Sequence, residues 1–172
     1  MTTPIRSLSD GETGAGSVNA VERRGDTIRR PTGTWTPAIH DLLRHLEALG
    51  FQGSPQVLGL EGKTEILSYL DGQVAMRPWP SILCQPEGLR SIAGLLKSYH
   101  GAVSSYVPPP NTSWRVSGLT WQPGQIIRHG DLGPWNMVWK DDRLVGFIDW
   151  DFAEPGTPLE ELAQVAWLAI PL

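Results

Sequence analysis

The chain has 172 residues, of which 40% are hydrophobic and 19% charged, with a formal net charge of −4. This composition predicts one ordinary domain, or two small lobes sharing a cleft, and excludes a disordered tail. The charge excludes the basic surface of a nucleic-acid-binding protein, and no apolar run is long enough to cross a membrane. The single cysteine, Cys84, excludes an internal disulfide and favours a reducing cytoplasm.

The first part of the chain has the pattern of a small β-rich lobe. Residues 1–16 are rich in Ser, Thr, Gly and Asp, which predicts a loose leader. The apolar stripe that follows Thr36 and Pro37 predicts an amphipathic helix that ends before Gly50. The predicted order is two strands at 18–24 and 26–30, the helix at 36–49, and two strands at 55–60 and 64–70.

The second part has a mixed pattern. An amphipathic helix is predicted at 87–100, after an irregular stretch at 78–86, and a Pro- and Ser-bearing connector covers 107–122. Thr157 and Pro158 predict the start of a last helix. We expect His100 to be a core residue of its helix, and His40 and His45 to lie on the surface of theirs.

The most informative stretch runs from His129 to Asn136, with the sequence HGDLGPWN, and Asp149 follows it. Strand-like runs at 137–140 and 144–149 flank a polar turn, which predicts a β-hairpin. The two ends of a hairpin lie side by side. Asn136 and Asp149 are therefore expected to meet, with Asp131 on the loop just before them.

These three side chains suit phosphoryl transfer. Mg²⁺ prefers oxygen ligands, so Asn136 and Asp149 are candidate metal ligands. Asp131 is then the candidate catalytic carboxylate that orients an acceptor hydroxyl and takes its proton. A turn-capping role for these residues, and a carboxylate-based metal hydrolase, are the alternatives.

The segments HGDLGPWN and IDWDFAEPG together resemble the aminoglycoside phosphotransferase family, which are small-molecule relatives of protein kinases and include choline-kinase-like enzymes. The resemblance implies an α+β, protein-kinase-like two-lobe fold. Residues 17–71 would form the nucleotide lobe and residues 72–172 a helical catalytic lobe that is incomplete at its C-terminal end. It also implies ATP or GTP as phosphoryl donor, Mg²⁺, and a small-molecule hydroxyl acceptor, either aminoglycoside-like or an amino alcohol.

The resemblance also assigns nucleotide-binding residues. A turn over the phosphates falls at Gly16, Ser17 and Asn19, and Arg29 occupies the place of a phosphate-binding lysine, with Glu47 as a possible partner. Arg29 and Arg30 could instead be solvated charges at a sheet edge. The hinge that holds the base corresponds to Ser68, Tyr69 and Leu70.

Two further residues would support the catalytic loop in such a fold. His129 would pack inward, and Glu161 stands where the family commonly has Asp. Asp151 could reach the metal through water or cap a turn.

An incomplete catalytic lobe would leave an apolar patch uncovered on the last helix, and with it a tendency to self-associate. The patch would comprise Leu162, Ala166, Trp167 and Ile170. A non-catalytic remnant that binds nucleotide or a partner protein is the alternative to an active phosphotransferase.

Overall fold

The computed structural model describes residues 9–11, 13–15 and 20–169. Its N-terminal part is an antiparallel five-stranded sheet with spatial order β1-β2-β3-β5-β4. The strands are β1 (Thr13–Ala15), β2 (Ala20–Arg24), β3 (Thr27–Pro31), β4 (Val57–Glu61) and β5 (Thr64–Ser68), and α1 (Thr36–Ala48) lies between β3 and β4.

The predicted β-β-α-β-β order is therefore present, with one strand added before it. That strand, β1, lies inside the predicted leader 1–16, because Gly14 pairs with Val21 across the sheet. Residues 13–15 of the predicted leader are thus part of the sheet. Gly25 turns β2 into β3 with a positive φ of 55°, which glycine adopts without strain.

The C-terminal part combines two helices with two small sheets. The helices are α2 (Pro86–Val103) and α3 (Pro158–Ala169), and the strands are β6 (Gln73–Val74), β7 (Ile126–Arg128), β8 (Met137–Lys140), β9 (Arg143–Phe147) and β10 (Glu154–Gly156). β7 pairs with β10, and β6, β8 and β9 form a three-stranded sheet. Short 3-10 turns lie at Ser81–Cys84, Pro134–Asn136 and Trp150–Phe152.

The predicted hairpin is formed by β8 and β9. Met137 pairs with Phe147, and the turn residues Asp141 and Asp142 have φ values of 49° and 58°. Two consecutive residues with positive φ match the twist of a tight hairpin, and Asp tolerates this conformation.

The buried side chains of the two parts form one hydrophobic cluster. The α1 stripe contributes Leu42, Leu43 and Leu46, and α2 contributes Leu96 and Tyr99. Complete burial of such a side chain stabilises the fold by roughly 1.5–3 kcal/mol. The shared core therefore holds the five-stranded sheet against the hairpin that carries the candidate site.

The last helix, α3, begins with a capping box. Thr157 Oγ1 accepts the Glu160 backbone N–H at 3.2 Å, and Glu160 Oε2 accepts the Thr157 N–H at 2.6 Å. Leu162, Ala166 and Trp167 are exposed, as predicted for the apolar patch, and Trp167 is 81% exposed. Ile170 lies outside the described residues. Within the described ranges, no helix is long and apolar enough to cross a membrane.

Candidate active site

Asp131, Asn136 and Asp149 come together at the open end of the β8–β9 hairpin. The Asn136 carbonyl accepts the Ile148 N–H at 3.0 Å, which continues the hairpin pairing up to Asp149. Asn136 Nδ2 donates to the backbone oxygen of Asp131 at 2.8 Å and to its Oδ2 at 2.9 Å. The predicted convergence of the three residues is therefore present in the fold.

Asp149 has a backbone conformation that is uncommon for a residue other than glycine. Its φ of 61° and ψ of 60° are left-handed, and its side chain is 46% exposed. Such conformations cost free energy and cluster at functional sites. The carboxylate is thereby half-exposed while one of its oxygens accepts from Arg30.

His129 is a fully buried brace between the loop of Asp131 and the hairpin end at Asp149. Its Nε2 lies 2.9 Å from the Ile148 carbonyl, and its Nδ1 lies 3.4 Å from the Asp131 backbone nitrogen. A neutral ring that donates from Nε2 and accepts at Nδ1 satisfies both contacts. Burial lowers the pKa of His129 below 6.5, which keeps the ring neutral.

Helix α3 holds the same loop from the other side. Glu161 is completely buried, and its carboxylate accepts the His129 backbone N–H and pairs with His100 Nε2 at 2.7 Å. One turn later, Gln164 Nε2 donates to the Gly130 carbonyl at 2.8 Å. The contact of Gln164 was not predicted, because its sequence neighbourhood carries no motif.

Gly130 is required by space as well as by conformation. Its φ is 80°, and a Cβ at this position would lie 2.0 Å from the backbone oxygen of Phe152. The loop of Asp131 therefore lies directly against the segment that follows Asp149.

The arginine that reaches Asp149 is Arg30, the neighbour of Arg29, for which a phosphate-binding role was predicted. Arg30 Nη1 donates to Asp149 Oδ1 at 2.8 Å, and its Nε donates to Glu65 Oε1 at 2.7 Å. Successive side chains of a strand point to opposite faces, so only one of the two arginines can face the hairpin. Arg29 lies on the other face and pairs with Glu61 of β4.

The expected partner of Arg29, Glu47, is elsewhere, because its carboxylate accepts Gln56 Nε2 at 3.0 Å. Arg29 and Arg30 both line one cavity, together with Glu22, Arg24 and Glu61. The structure thus separates Arg29 from Asp149, and the arginine that contacts the hairpin end is Arg30.

Glu65 is held in turn by His40, which the sequence wrongly assigned to the surface. The His40 Nε2 lies 2.6 Å from Glu65 Oε2, and both side chains are nearly fully buried. Hydrophobic periodicity does not predict that a polar residue such as His40 is buried on the inner face of α1, because its partner lies on a distant strand. Glu65 thereby fixes the orientation of the Arg30 guanidinium.

Asp151 is buried, and both of its carboxylate oxygens are paired with arginines. Its Oδ1 accepts Arg30 Nη2 at 2.7 Å, and its Oδ2 accepts Arg115 Nη1 at 3.2 Å. Burial raises the pKa of this carboxyl, and the charge of Arg30 acts in the opposite direction. Arg115, from the connector, also packs on the rings of Trp35 and Phe152, at 4.3 and 4.5 Å from their centroids.

The hinge residues lie at the end of β5. The Ser68 and Tyr69 N–H groups already donate to the carbonyls of Gln56 and Asp26, at 2.9 and 2.8 Å. The Leu70 N–H has no hydrogen-bond partner within the described part of the chain. Leu70 therefore has the one backbone donor of this segment that remains available.

The predicted turn residues Gly16, Ser17 and Asn19 lie outside the described residues. Nothing in the structure bears on their assignment.

The donor set at the hairpin end fits a hard divalent cation. Asn136 uses its Nδ2 for Asp131, and its Oδ1 has no partner among the described residues. Asp149 uses Oδ1 for Arg30, and its Oδ2 has no hydrogen-bond partner in the part of the chain that the structure describes. An amide oxygen and a carboxylate oxygen are the ligand types that Mg²⁺ takes, together with water and substrate phosphates.

Comparisons with known proteins agree with this geometry. Residues 114–171, which contain the loop of Asp131 and the hairpin, match the family model described as phosphotransferase enzyme family. The trifolitoxin immunity protein of Rhizobium leguminosarum bv. trifolii is 40% identical over 159 residues. That match covers 89% of this chain and 59% of the relative, so the chain spans little more than half the length of this curated protein.

Solved structures share the fold at low sequence identity. A choline/ethanolamine kinase family protein from Mesorhizobium loti has a TM-score of 0.58 and 18% identity, and the match covers 96% of this chain and 64% of that one. An amicoumacin kinase in complex with AMP-PNP, Ca²⁺ and its antibiotic has a TM-score of 0.67 and 13% identity, with 98% and 68% covered. An aminoglycoside phosphotransferase from Streptomyces rimosus has a TM-score of 0.61 and 19% identity, with 89% and 75% covered.

The structural neighbours confirm the predicted α+β, protein-kinase-like fold. Residues 114–171 thus match the model of the phosphotransferase enzyme family, and the described chain has the fold of solved aminoglycoside phosphotransferases and of a choline/ethanolamine kinase family protein.

Proposed function

We propose that the chain is a phosphotransferase that moves the γ-phosphoryl group of ATP or GTP to a hydroxyl group of a small molecule. The observation that carries this proposal is the convergence of Asp131, Asn136 and Asp149 at one hairpin end, with the buried Arg30 donating to Asp149. Phosphoryl transfer needs positioned oxygen ligands, a carboxylate for the acceptor and cationic groups for the phosphates.

Asp131 is the proposed base. Its Oδ2 accepts Asn136 Nδ2, while its Oδ1 has no hydrogen-bond partner within the described ranges and can accept the acceptor's O–H. As the acceptor oxygen bonds to the γ-phosphorus, the bond from phosphorus to the bridging oxygen breaks and the nucleoside diphosphate leaves. The hydroxyl proton passes to Asp131.

Asn136 and Asp149 would hold Mg²⁺. When bound, the ion would neutralise charge on the β- and γ-phosphates. Arg30, which already donates to Glu65, Asp149 and Asp151, would hold the Asp149 carboxylate in position beside the ion. Leu70 would bond the base through its N–H, and Gly16, Ser17 and Asn19 would cover the phosphates. The exposed free thiol of Cys84 is compatible with a cytoplasmic enzyme.

An ADP-release assay with Mg-ATP and a panel of small alcohols tests the proposal. We expect Asp131→Asn to lower kcat by roughly 10²–10⁴-fold, because a positioned base contributes about that much, with little change in nucleotide KM. Asp142→Asn is the matched control, since Asp142 is an exposed carboxylate in the turn of the same hairpin. Equal loss in both variants, or none in Asp131→Asn, would contradict the assignment.

A second candidate function is protection against a toxin, favoured by the 40% identity to a trifolitoxin immunity protein. Expression of the chain in a trifolitoxin-sensitive strain, with survival as the readout, tests it. Loss of protection in Asp131→Asn would indicate that protection depends on phosphoryl transfer. Protection that survives the substitution would favour the non-catalytic alternative, in which binding alone is enough.

A further inference from the structure

Trp135 lies next to Asp131 and Trp79 stacks near Trp135, and neither ring is used by the proposed phosphoryl-transfer machinery. Trp135 is 36% exposed, and its Nε1 lies 3.4 Å from Asp131 Oδ2. Trp79 stacks near it, with ring centroids 6.4 Å apart and planes inclined by 30°. The carboxylate that would receive the acceptor's proton therefore contacts one ring of an aromatic pair.

The local backbone holds this pair in place. The Ala75 N–H donates to the Pro134 carbonyl at 3.3 Å, which ties the segment of Trp79 to the 3-10 turn of Trp135. A Cβ at Gly133 would lie 2.2 Å from the Trp135 indole, so the missing side chain lets the ring lie flat over the loop. One side of Trp135 is thus supported by backbone while part of its surface stays open.

Opposite charges lie beside the two rings, the Asp131 carboxylate at Trp135 and a guanidinium at Trp79. The Arg77 guanidinium lies 5.0 Å from the centroid of the Trp79 ring and is exposed. It already occupies the cation–π position on this indole, and its charge repels an incoming ammonium group. Exposed aromatic faces otherwise favour stacking with a flat ring.

We propose that Trp79 and Trp135 form the acceptor-binding platform for a hydroxyl-bearing molecule with a planar aromatic or heteroaromatic ring, uncharged or anionic. The ring stacks on the indoles, and its hydroxyl arm reaches Asp131. This inference rests on the proposed phosphotransferase function for the transfer step, but not for binding. The acceptor would then be neither a polycationic aminoglycoside nor an amino alcohol.

Binding is tested without turnover, by ligand-observed NMR titration of the whole chain. The probes are indole-3-ethanol, 2-cyclohexylethanol, which has a non-planar ring, and ethanolamine, which is cationic. We expect indole-3-ethanol to bind about tenfold more tightly than the other two, which is the scale of one aromatic stacking contact. Equal binding of all three probes, or preference for ethanolamine, would overturn the platform.

Variants locate the site. Trp79→Leu and Trp135→Leu should each weaken indole-3-ethanol binding by about tenfold. Trp167→Leu removes an exposed indole from α3 and should leave binding unchanged. Because Trp79 packs partly on the core, Trp135→Leu decides the outcome if Trp79→Leu melts early. Unchanged binding in a folded Trp135→Leu would refute the proposal.

The ADP-release assay separates the two proposals. Selective binding of indole-3-ethanol with no nucleotide turnover would support the platform and contradict the phosphotransferase. Turnover with ethanolamine or kanamycin at lower KM than with indole-3-ethanol would support the phosphotransferase and contradict the platform.

Discussion

Arg29 and Arg30 are neighbours on one strand, yet they lie in opposite environments. Arg30 is buried and donates to three carboxylates, those of Glu65, Asp149 and Asp151. Arg29 pairs on the other face of the sheet with Glu61, whose side chain is 64% exposed. The comparison shows that one step along a strand separates a site residue from a surface residue.

The difference also explains why Arg30 has so many partners. A buried guanidinium is tolerated only where hydrogen bonds and opposite charges replace water. Glu65, held by His40, and Asp151, held by Arg115, supply them. The resulting network joins the five-stranded sheet, α1, the connector and the turn after Asp149 in one place.

Removal of the Arg30 side chain should have the largest effect on the unfolding free energy. Arg30→Ala would leave Glu65 and Asp151 buried without their main partner, which should cost about 3–5 kcal/mol of unfolding free energy. Arg29→Ala, the matched control, should cost less than about 1 kcal/mol, because its ion pair is solvated. Urea unfolding measures both, and similar values for the two would invalidate the comparison.

The next effect concerns the backbone around Asp131. Gly130→Ala should destabilise by about 1–3 kcal/mol, because its Cβ meets the Phe152 carbonyl at a positive φ. Gly94→Ala is the control: it lies in α2, has nothing within 4 Å of its Cβ, and should stabilise by about 0.5–1 kcal/mol. If Gly130→Ala were neutral in thermal unfolding, the close approach of the loop to Phe152 would be wrong.

The buried His129 predicts a pH dependence. Its pKa is lower in the folded chain than the ordinary 6.5, so below pH 6.5 the unfolded chain takes up a proton that the folded one refuses. The contribution of the neutral His129 ring to the unfolding free energy should be complete above pH 6.5. It should fall as the pH drops towards the folded pKa, by at most about 1.4 kcal/mol per pH unit for one proton.

Denaturant melts between pH 7.5 and 5.5 measure this slope. His129→Asn should flatten it, whereas His45→Asn, which changes a partly exposed ring, should not. An unchanged slope in His129→Asn would assign the pH dependence to other groups.

The smallest effect is expected at the exposed patch of α3. Trp167→Ser should change the unfolding free energy by less than about 0.5 kcal/mol, because the side chain is 81% exposed. We expect it to reduce self-association in a light-scattering concentration series, since an exposed apolar patch favours contact between chains. A monomeric wild type at all concentrations would contradict this expectation.

The sequence predicted those parts of the site that depend on local order. Asp131, Asn136 and Asp149 are tied by one loop and one hairpin, so their spacing alone implied that they meet. Strand and helix order followed from hydrophobic periodicity in the same way.

The parts that it missed depend on tertiary contacts. Whether Arg29 or Arg30 faces the hairpin is set by the register of β3 against β5, which two adjacent arginines leave undetermined. His40 was assigned to the surface because its partner Glu65 lies 25 residues away. The contact of Gln164 with Gly130 depends on where α3 docks, which no local pattern encodes.

We propose that Asp149, positioned by Arg30 from the opposing part of the fold, belongs to a site for Mg²⁺ and nucleotide. Thermal unfolding of wild type, Asp149→Asn and Arg29→Ala with ATP, in the presence and absence of Mg²⁺, tests it most directly. At 100 times the dissociation constant, ligand should stabilise the wild type and Arg29→Ala by roughly 2.7 kcal/mol, only when Mg²⁺ is present. Asp149→Asn should lose this shift. An equal shift in Asp149→Asn, or none in the wild type, would contradict the claim.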